Sequence, residues 1–189
     1  MSQKIAVIVG STRPTRIGRE IADWLVDQAP SDDVSLEIVD LKEINLPFLD
    51  EPQQPASGIQ EKDHSKKWKA LVDSFDGYIF VTPEYNAGYS APLKNAIDYL
   101  KNEWTNKPAM IVSYGWGGGA SASAQLRQVL ERLQMRQTTT SPALFFGPET
   151  FNEAAELKDA HASFESHIAD IKKAVSELVE LVNTKAPVA

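Results

Sequence analysis

Near the start of the chain stands Ile5-Ala6-Val7-Ile8-Val9-Gly10, a short apolar run that ends at a glycine. A continuous run of this kind, rich in β-branched residues, is typical of a strand buried on both faces of a sheet. After the polar stretch Ser11–Arg16, apolar residues return with the spacing of one helical face, at Ile17, Ile21, Trp24 and Leu25. The first unit is therefore predicted to be a strand, a turn and a helix.

The same alternation continues along the chain. Further apolar runs predict strands over Val34–Leu41, Gly77–Val81, Ala109–Ser113 and Thr140–Phe146. Pro142 is unfavourable inside the last of these runs. Apolar residues with helical spacing separate the runs, and a final helical pattern reaches about Asn183. Strands that alternate with helices pair in parallel through right-handed crossovers, so the sequence predicts an α/β fold with a three-layer, doubly wound sheet.

Length bounds the number of domains. A single core stops growing only at roughly 250–300 residues, so a chain of 189 residues suits one domain. We expect this domain to cover residues 1–183, with Thr184–Ala189 as a C-terminal tail.

Charge and cysteine usage exclude several classes of function. Nineteen basic against 26 acidic residues give a formal charge of −7, which disfavours binding to nucleic acid or to an anionic membrane surface. The chain has no cysteine, so disulfides, thiolate nucleophiles and cysteine-based metal sites are excluded. No apolar run approaches the roughly 20 residues that span a bilayer, and the first residues lack the pattern of a signal peptide. We therefore expect a soluble, cytoplasmic protein.

In a doubly wound sheet, ligands bind beyond the carboxyl ends of the strands, and the loop after the first strand is unusual there. It reads Gly10-Ser11-Thr12-Arg13-Pro14-Thr15-Arg16-Ile17-Gly18. Free amides at a helix start, two hydroxyls and two guanidiniums together favour a doubly charged phosphate. The alternative is that Ser11 and Thr12 are turn residues and that both arginines are merely solvated. The pattern matches neither a dinucleotide fingerprint nor an NTPase P-loop.

The loop after the third predicted strand is rigid and aromatic, running from Thr82 to Pro92. Its two prolines limit backbone freedom, while Tyr85, Asn86 and the loop amides offer stacking and hydrogen bonds to a flat heterocycle. Alternatively, Tyr85 and Tyr89 cover a helix end. We interpret Lys94, Asn95 and Asp98 in the following helix as structural.

The loop after the fourth predicted strand, Ser113–Ala120, has four glycines in the five positions 115–119. Glycines permit a close backbone approach, and successive amides near a helix start favour negative charge on a ligand edge. A flexible loop is the plainer alternative. It explains Trp116 poorly, since a large ring among glycines is expected either to pack on a partner or to cover a ligand.

These loops resemble those of the NADPH-dependent FMN reductase family, the flavodoxin-like group that includes quinone and chromate reductases and FMN-linked azoreductases. The most specific likeness is Pro83-Glu84-Tyr85-Asn86 followed by Pro92–Leu100. Gly10-Ser11-Thr12-Arg13 and the glycine loop with Gln125–Leu130 match as well, and the resemblance covers roughly Ile5–Met135. It implies a flavodoxin-like, five-stranded parallel sheet in the order 2-1-3-4-5.

The resemblance also implies which residues bind FMN. The phosphate would be held by Ser11, Arg13, Arg16, Ile17 and Gly18. The isoalloxazine ring would be bordered by Pro83, Glu84, Tyr85, Asn86, Ser113, Gly115, Trp116, Gly117 and Gly118. Many relatives have a serine and an asparagine at the positions of Ile17 and Arg19, and Thr15 and Arg16 are the available substitutes. No side chain is assigned as catalytic, because flavin N5 would carry the chemistry.

The implied activity is electron transfer from NADPH or NADH through FMN to quinones, azo compounds, free flavin or metal oxyanions, by a ping-pong mechanism. The alternative is an FMN-binding electron carrier or flavin-dependent regulatory module that acts on a protein partner. The family also implies a homodimer or homotetramer built around Leu93–Lys101, with Leu46–Glu51 near a neighbouring subunit.

The remaining histidines and tryptophans are interpreted as structural. His64, His161 and His167 show no metal-ligand pattern, so no metal is expected. Trp24 and Trp68 lie on apolar helical faces and are predicted to be core, whereas Trp104 could belong either to the core or to a subunit contact.

Overall fold

The structure, a computed structural model, describes residues 3–28 and 34–184, and within them the strands form one parallel sheet. The strands are β1 (Gln3–Val9), β2 (Val34–Asp40), β3 (Gly77–Pro83), β4 (Pro108–Gly115), β5 (Arg136–Gln137) and β6 (Ala143–Phe145). Their order is β2-β1-β3-β4-β5, and β6 also pairs with β4. The predicted doubly wound order is confirmed.

Helices cover both faces of this sheet. They are α1 (Gly18–Gln28), α2 (Leu41–Ile44), α3 (Asp63–Asp73), α4 (Ala91–Asp98), α5 (Ala120–Arg132), α6 (Ala160–Phe164) and α7 (Ile168–Asn183), with 3₁₀ turns at Pro55–Ser57 and Glu165–His167. One core packs α1, α6 and α7 against the sheet, and the other packs α3, α4 and α5 against the opposite face. The three predicted layers are therefore present.

The fifth position of the sheet differs from the prediction of one strand over Thr140–Phe146. Two short strands, β5 and β6, share it and both run parallel to β4. Between them the chain turns away, because the side chains of Thr139 and Thr140 bond to Glu177 on α7. Pro142 also lacks the N–H that a central ladder needs.

The last helical pattern is interrupted rather than continuous. Asp159 caps α6 by accepting hydrogen bonds from the amides of His161 and Ala162, at 2.8 and 3.2 Å. Phe164 is fully buried against Trp24, with ring centres 5.5 Å apart, and its backbone leaves the helical region before α7 begins. The helix ends at Asn183 as predicted. Of the predicted tail, residues 185–189 lie outside the described residues.

Three tryptophans are buried in the core of the protein. Trp24 and Trp68 are buried, which confirms them as core. Trp104 is also core: its side chain is 0% exposed, its indole N–H donates to the carbonyl of Ile97, and its ring meets Tyr78 edge to face. No helix among the described residues has both the length and the apolar character needed to cross a bilayer.

The sheet brings the three candidate loops to one edge. Because β1, β3 and β4 are adjacent and parallel, their carboxyl ends lie side by side, with Val9 opposite Val81 and Pro83 opposite Tyr114. Each strand is almost wholly buried up to that edge, so the polar loop residues begin where the apolar strands end.

Candidate functional site

A cavity of about 820 Å³ lies at the carboxyl edge of β1, β3 and β4. This volume is in the range typical of small-molecule sites. All three loops line it, together with the turn that follows β6. Its lining contains most of the predicted site residues: Ser11, Arg13, Arg16, Ile17, Pro83, Glu84, Tyr85, Asn86, Gly115, Trp116 and Gly117.

Three predicted residues, Gly18, Ser113 and Gly118, lie behind the cavity wall. A Cβ on Gly18 would come within 2.5 Å of the Tyr114 hydroxyl, so this position sets how closely α1 approaches β4. The Ser113 hydroxyl donates to the carbonyl of Gly118 at 2.7 Å and closes the glycine loop. Their predicted contact with a cofactor stays a prediction, and the structure gives them a part in shaping the loops.

Ser11 joins the first loop to the second. It is almost fully buried, and its hydroxyl lies 2.7 Å from that of Tyr85. The guanidinium of Arg13 lies 5.9 Å from the centre of the Tyr85 ring, within cation–π range. Arg13 itself is exposed, and among the described residues no carboxylate lies within salt-bridge distance of it, so its charge is available to a ligand in the cavity.

Arg16 is held in a more constrained setting. Its terminal nitrogen pairs with the carboxylate of Asp40, which is buried at the end of β2. Asp40 also caps α2 by accepting the amide of Lys42 at 3.0 Å, which explains why β2 stops one residue before the predicted Leu41. The Arg16 Nε–H is buried and has no partner. Arg16 therefore offers one directed donor rather than a free, solvated cation.

Tyr114 offers a second buried donor beside the first loop. Its hydroxyl is buried and has no hydrogen-bond partner within the part of the chain that the structure describes. Burial raises the pKa of Tyr114 above its usual value, so the hydroxyl keeps its proton at neutral pH. Buried polar groups are rarely left unsatisfied, and both donors belong to residues that line the cavity, so they are candidate donors to a ligand acceptor. A phosphate beside Ser11 and Arg13 fits this donor set.

Glu84 changes the electrostatics expected at the third loop. Its carboxylate accepts hydrogen bonds from the amides of Ser121 and Ala122, at 2.9 and 3.3 Å, and so caps α5. The amide of Gly118 is also used, since it donates to the carbonyl of Gly115. The Glu84 carboxylate therefore already balances part of the positive charge of this helix end, and the expectation that the glycine-loop amides favour negative charge on a ligand edge stays a prediction. Hydroxyl and guanidinium donors for an anion lie in the first loop.

Part of the cavity lining comes from residues that the sequence did not indicate. They are Pro14, Glu20, Tyr114, Phe146, Phe151, Ala154, Ala155 and Glu156. Most of them belong to the turn after β6, which shows neither a motif nor a period. One signal was available: Phe145-Phe146 ends the last predicted strand and Gly147-Pro148 follows it, at the same carboxyl edge as the other loops.

A second cavity, of about 460 Å³, lies between α2, the following loop and α4. The Asn95 side chain accepts the amide of Leu49 at 2.9 Å and donates to the carbonyl of Pro47 at 2.7 Å. Lys94 pairs with Asp98 on the exposed face of the same helix. These contacts agree with the interpretation of Lys94, Asn95 and Asp98 as structural residues.

The histidines lie apart from one another. His64 contacts Asp50, His161 contacts Gln28, and His167 stacks on Phe145. Within residues 3–28 and 34–184, no group of three or more histidines and carboxylates is placed to hold a metal ion.

Comparison with known proteins gives a consistent result. Residues 3–147 match the model of a family described as NADPH-dependent FMN reductase. The chain is 41% identical to the NAD(P)H-dependent FMN reductase ntnL of Nectria sp, over 95% of this chain and 96% of the relative. It is 34% identical to a quinone reductase of Pseudomonas putida, over 87% and 90% of the two chains. The solved structure of the flavoenzyme FerB from Paracoccus denitrificans aligns with a TM-score of 0.73 at 23% identity, covering 95% of this chain and 97% of the other, which supports the fold.

Proposed function

Because the chain belongs to the NADPH-dependent FMN reductase family, we propose that it is an oxidoreductase that binds FMN in the cavity at the carboxyl edge of β1, β3 and β4. Electrons would pass from NADPH or NADH to quinones, azo compounds, free flavin or metal oxyanions in a ping-pong sequence. The observation that carries the proposal is the pairing of unsatisfied donors at one end of this cavity with a rigid aromatic loop at the other.

The phosphate end is formed by the first loop and Tyr114. Ser11, Arg13, Arg16 and Tyr114 all line this cavity and would supply hydroxyl and cationic donors to the phosphate. A charge-assisted contact between a guanidinium and a phosphate contributes roughly 1.5–3 kcal/mol, so Arg13 would account for much of the affinity for the phosphate. The Asp40 carboxylate balances Arg16 from behind and fixes its orientation.

The ring end is formed by the second and third loops. Tyr85 and Gly88 exchange backbone hydrogen bonds of 2.8 and 3.0 Å, which close a tight turn over Asn86 and Ala87. The Gln125 side chain of α5 donates to the carbonyl of Ala87 and holds the turn against the helix. A loop that is already ordered binds a flat ring with a small loss of entropy.

FMN bound there would supply the redox chemistry, taking two electrons from a reduced nicotinamide and passing them to an acceptor. The protein would then position the cofactor and the two reactants. The first loop holds the phosphate, the Pro83–Asn86 segment together with Gly115 and Gly117 borders the ring, and the cavity admits donor and acceptor in turn. No side-chain acid or base is required of this site.

A homodimer or homotetramer in the cytoplasm is part of the same proposal. Phe48, which lines the second cavity, is 83% exposed, and the neighbouring Leu49 is 39% exposed. This apolar surface adjoins α4, and an exposed apolar patch of this kind favours a protein contact. A second copy of the chain is the proposed occupant.

The test is made on the purified protein. We expect a yellow protein whose flavin absorbance is lost when NADPH or NADH is added without air and returns when a benzoquinone follows. A colourless protein that does not take up added FMN would contradict the proposal. If a reductase protein reduces the bound flavin while both nicotinamides fail, the chain is an electron carrier instead.

A further inference from the structure

We propose that Trp116, backed by Phe146 and Phe151, is the stacking platform for the ring of an uncharged, planar electron acceptor. The inference rests on the proposed function and specifies the class of acceptor. It assigns Trp116 to the second reactant of the site rather than to the cofactor.

The indole of Trp116 is exposed but packs against two other rings. Trp116 is 70% exposed, whereas Trp24, Trp68 and Trp104 are at most 2% exposed. Its ring lies 5.8 Å from that of Phe146, edge to face, and 6.0 Å from that of Phe151. Contacts with two rings hold the indole in place, although most of its apolar surface is exposed to solvent, which is energetically unfavourable. Such an arrangement suits a face kept open for another flat ring.

One ring of the platform, that of Phe151, lies beyond the family match, which ends at residue 147. Phe151 pairs with Leu157 in an isolated antiparallel bridge. The turn between them is closed by hydrogen bonds of 2.9 Å, from the Asn152 amide to the Glu156 carbonyl and from the Glu156 amide to the Asn152 side chain. Phe146 and Phe151 meet edge to face at 5.0 Å. The platform is therefore ordered by its own contacts.

The charged side chains that line the cavity also bear on the class of acceptor. Glu156, in the same turn as Phe151, lines the cavity together with Glu20 of α1. Both carboxylates line the same cavity, and burial, followed by the charge of Glu156, raises the pKa of Glu20. On the basic side, Arg16 is paired with Asp40, and a bound phosphate would neutralise Arg13. The charge left beside the platform is negative, which favours an uncharged acceptor over an anionic one.

The experiment measures binding of naphthoquinone and of a naphthoquinone sulfonate to the oxidised, FMN-loaded protein by equilibrium dialysis without nicotinamide. FMN affinity is measured on every variant. We expect Trp116→Leu to weaken naphthoquinone binding about threefold to tenfold with FMN affinity unchanged, and Trp116→Phe to retain most of it. Phe145→Leu is the control, because Phe145 is exposed on β6 but does not line the cavity. Glu156→Gln should strengthen binding of the sulfonate roughly twofold to fivefold and leave that of the neutral quinone unchanged.

Two results would overturn the inference. If Trp116→Leu weakens FMN binding and leaves quinone affinity of the loaded protein unchanged, Trp116 contacts the cofactor only. If Phe145→Leu has as large an effect as Trp116→Leu, the effect is not local to the platform. Failure of the unmodified protein to bind FMN would instead overturn the proposed function, and the inference with it.

Discussion

The Glu84 carboxylate accepts the backbone N–H of Ser121 at 2.9 Å, so a residue of the loop after β3 caps the helix that follows β4. The Glu84 amide in turn donates to the carbonyl of Tyr114 at 3.3 Å. The second and third loops are therefore fastened to each other, and the ring end of the cavity is a single rigid unit. The same carboxylate balances the positive end of α5, where Gly119 provides no side-chain cap.

Replacing Glu84 by Ala should lower the free energy of unfolding by about 1 kcal/mol, because two amides at the start of α5 lose their acceptor. Glu84→Gln keeps an acceptor oxygen and should recover at least half of that loss. Urea denaturation of the FMN-free proteins measures both effects. Equal stability of Glu84→Ala and the unmodified protein would mean that this cap contributes nothing.

Arg13→Ala should weaken FMN binding about tenfold to a hundredfold and leave riboflavin binding nearly unchanged, because riboflavin lacks the phosphate. Titration of the FMN-free protein with both ligands measures the difference. Equal loss of affinity for the two ligands would refute the phosphate assignment. Arg16→Ala is the informative contrast. Since it leaves buried Asp40 with only the more distant guanidinium of Arg19, 3.8 Å away, it should also destabilise the ligand-free fold, by less than the roughly 3–5 kcal/mol that an uncompensated buried charge costs.

The sheet and its loops could be predicted from the sequence because they depend on local pattern. Apolar runs such as Ile5–Val9 predict strands that neighbours bury on both faces, and parallel pairing then brings the loop ends together. The Arg16–Asp40 pair could not be predicted in this way, since its partners are 24 residues apart and meet only through the register of β1 and β2. The division of the fifth strand likewise depends on a contact with Glu177, 37 residues beyond Thr140.

Residues of the candidate site could be predicted where a loop follows a predicted strand and also contains polar or aromatic side chains that suit a ligand. It was missed where a residue acts through burial: Tyr114 stands at the start of the third loop, and nothing in the sequence distinguishes it before its hydroxyl is seen to be buried in the structure. The turn after β6 was missed for another reason. Phe151 and Glu156 reach the cavity only because the Phe151–Leu157 bridge folds the segment back, and a single bridge leaves no period in the sequence.

Gly117→Val should fold normally and reduce FMN occupancy. A Cβ on Gly117 meets nothing within 4 Å and the residue lines the cavity, so a branched side chain would project into ligand space. Gly119→Val is the matched control. Gly119 has a φ of 72°, and its Cβ would lie 2.8 Å from that of Ser113, so this change should destabilise the fold itself. Circular dichroism on heating and flavin content separate the two outcomes. Full flavin loading of Gly117→Val would remove this position from the site.

Glu177 should make the free energy of unfolding depend on pH in the acidic range. Hydrogen bonds from Thr140 hold the pKa of Glu177 at about 2, below its ordinary value of 4.5. A lowered pKa in the folded state stabilises the protein above the unfolded value, and this stabilisation is lost as the pH falls from about 4.5 towards 2. The difference in unfolding free energy between the unmodified protein and Glu177→Gln should therefore be largest at neutral pH and shrink below pH 4.5. A difference that is constant from neutral pH to pH 3 would contradict this role.

The last prediction concerns the order of the two half-reactions. One cavity must admit donor and acceptor in turn, so oxidised nicotinamide should leave before the quinone binds. Varying NADPH at several fixed concentrations of a benzoquinone should then give parallel double-reciprocal lines. Intersecting lines would mean that both reactants occupy the cavity together.

The chain has no cysteine, so no thiol relay can hold two electrons between the half-reactions, and the bound flavin must store them. Rapid mixing with NADPH alone should therefore bleach the flavin at least as fast as steady-state turnover. Trp116→Leu is the useful variant here, because the proposed platform serves the acceptor: bleaching by NADPH should be unchanged while kcat/KM for the quinone falls about threefold to tenfold. Bleaching that is far slower than turnover would exclude the stored intermediate and with it the ping-pong sequence.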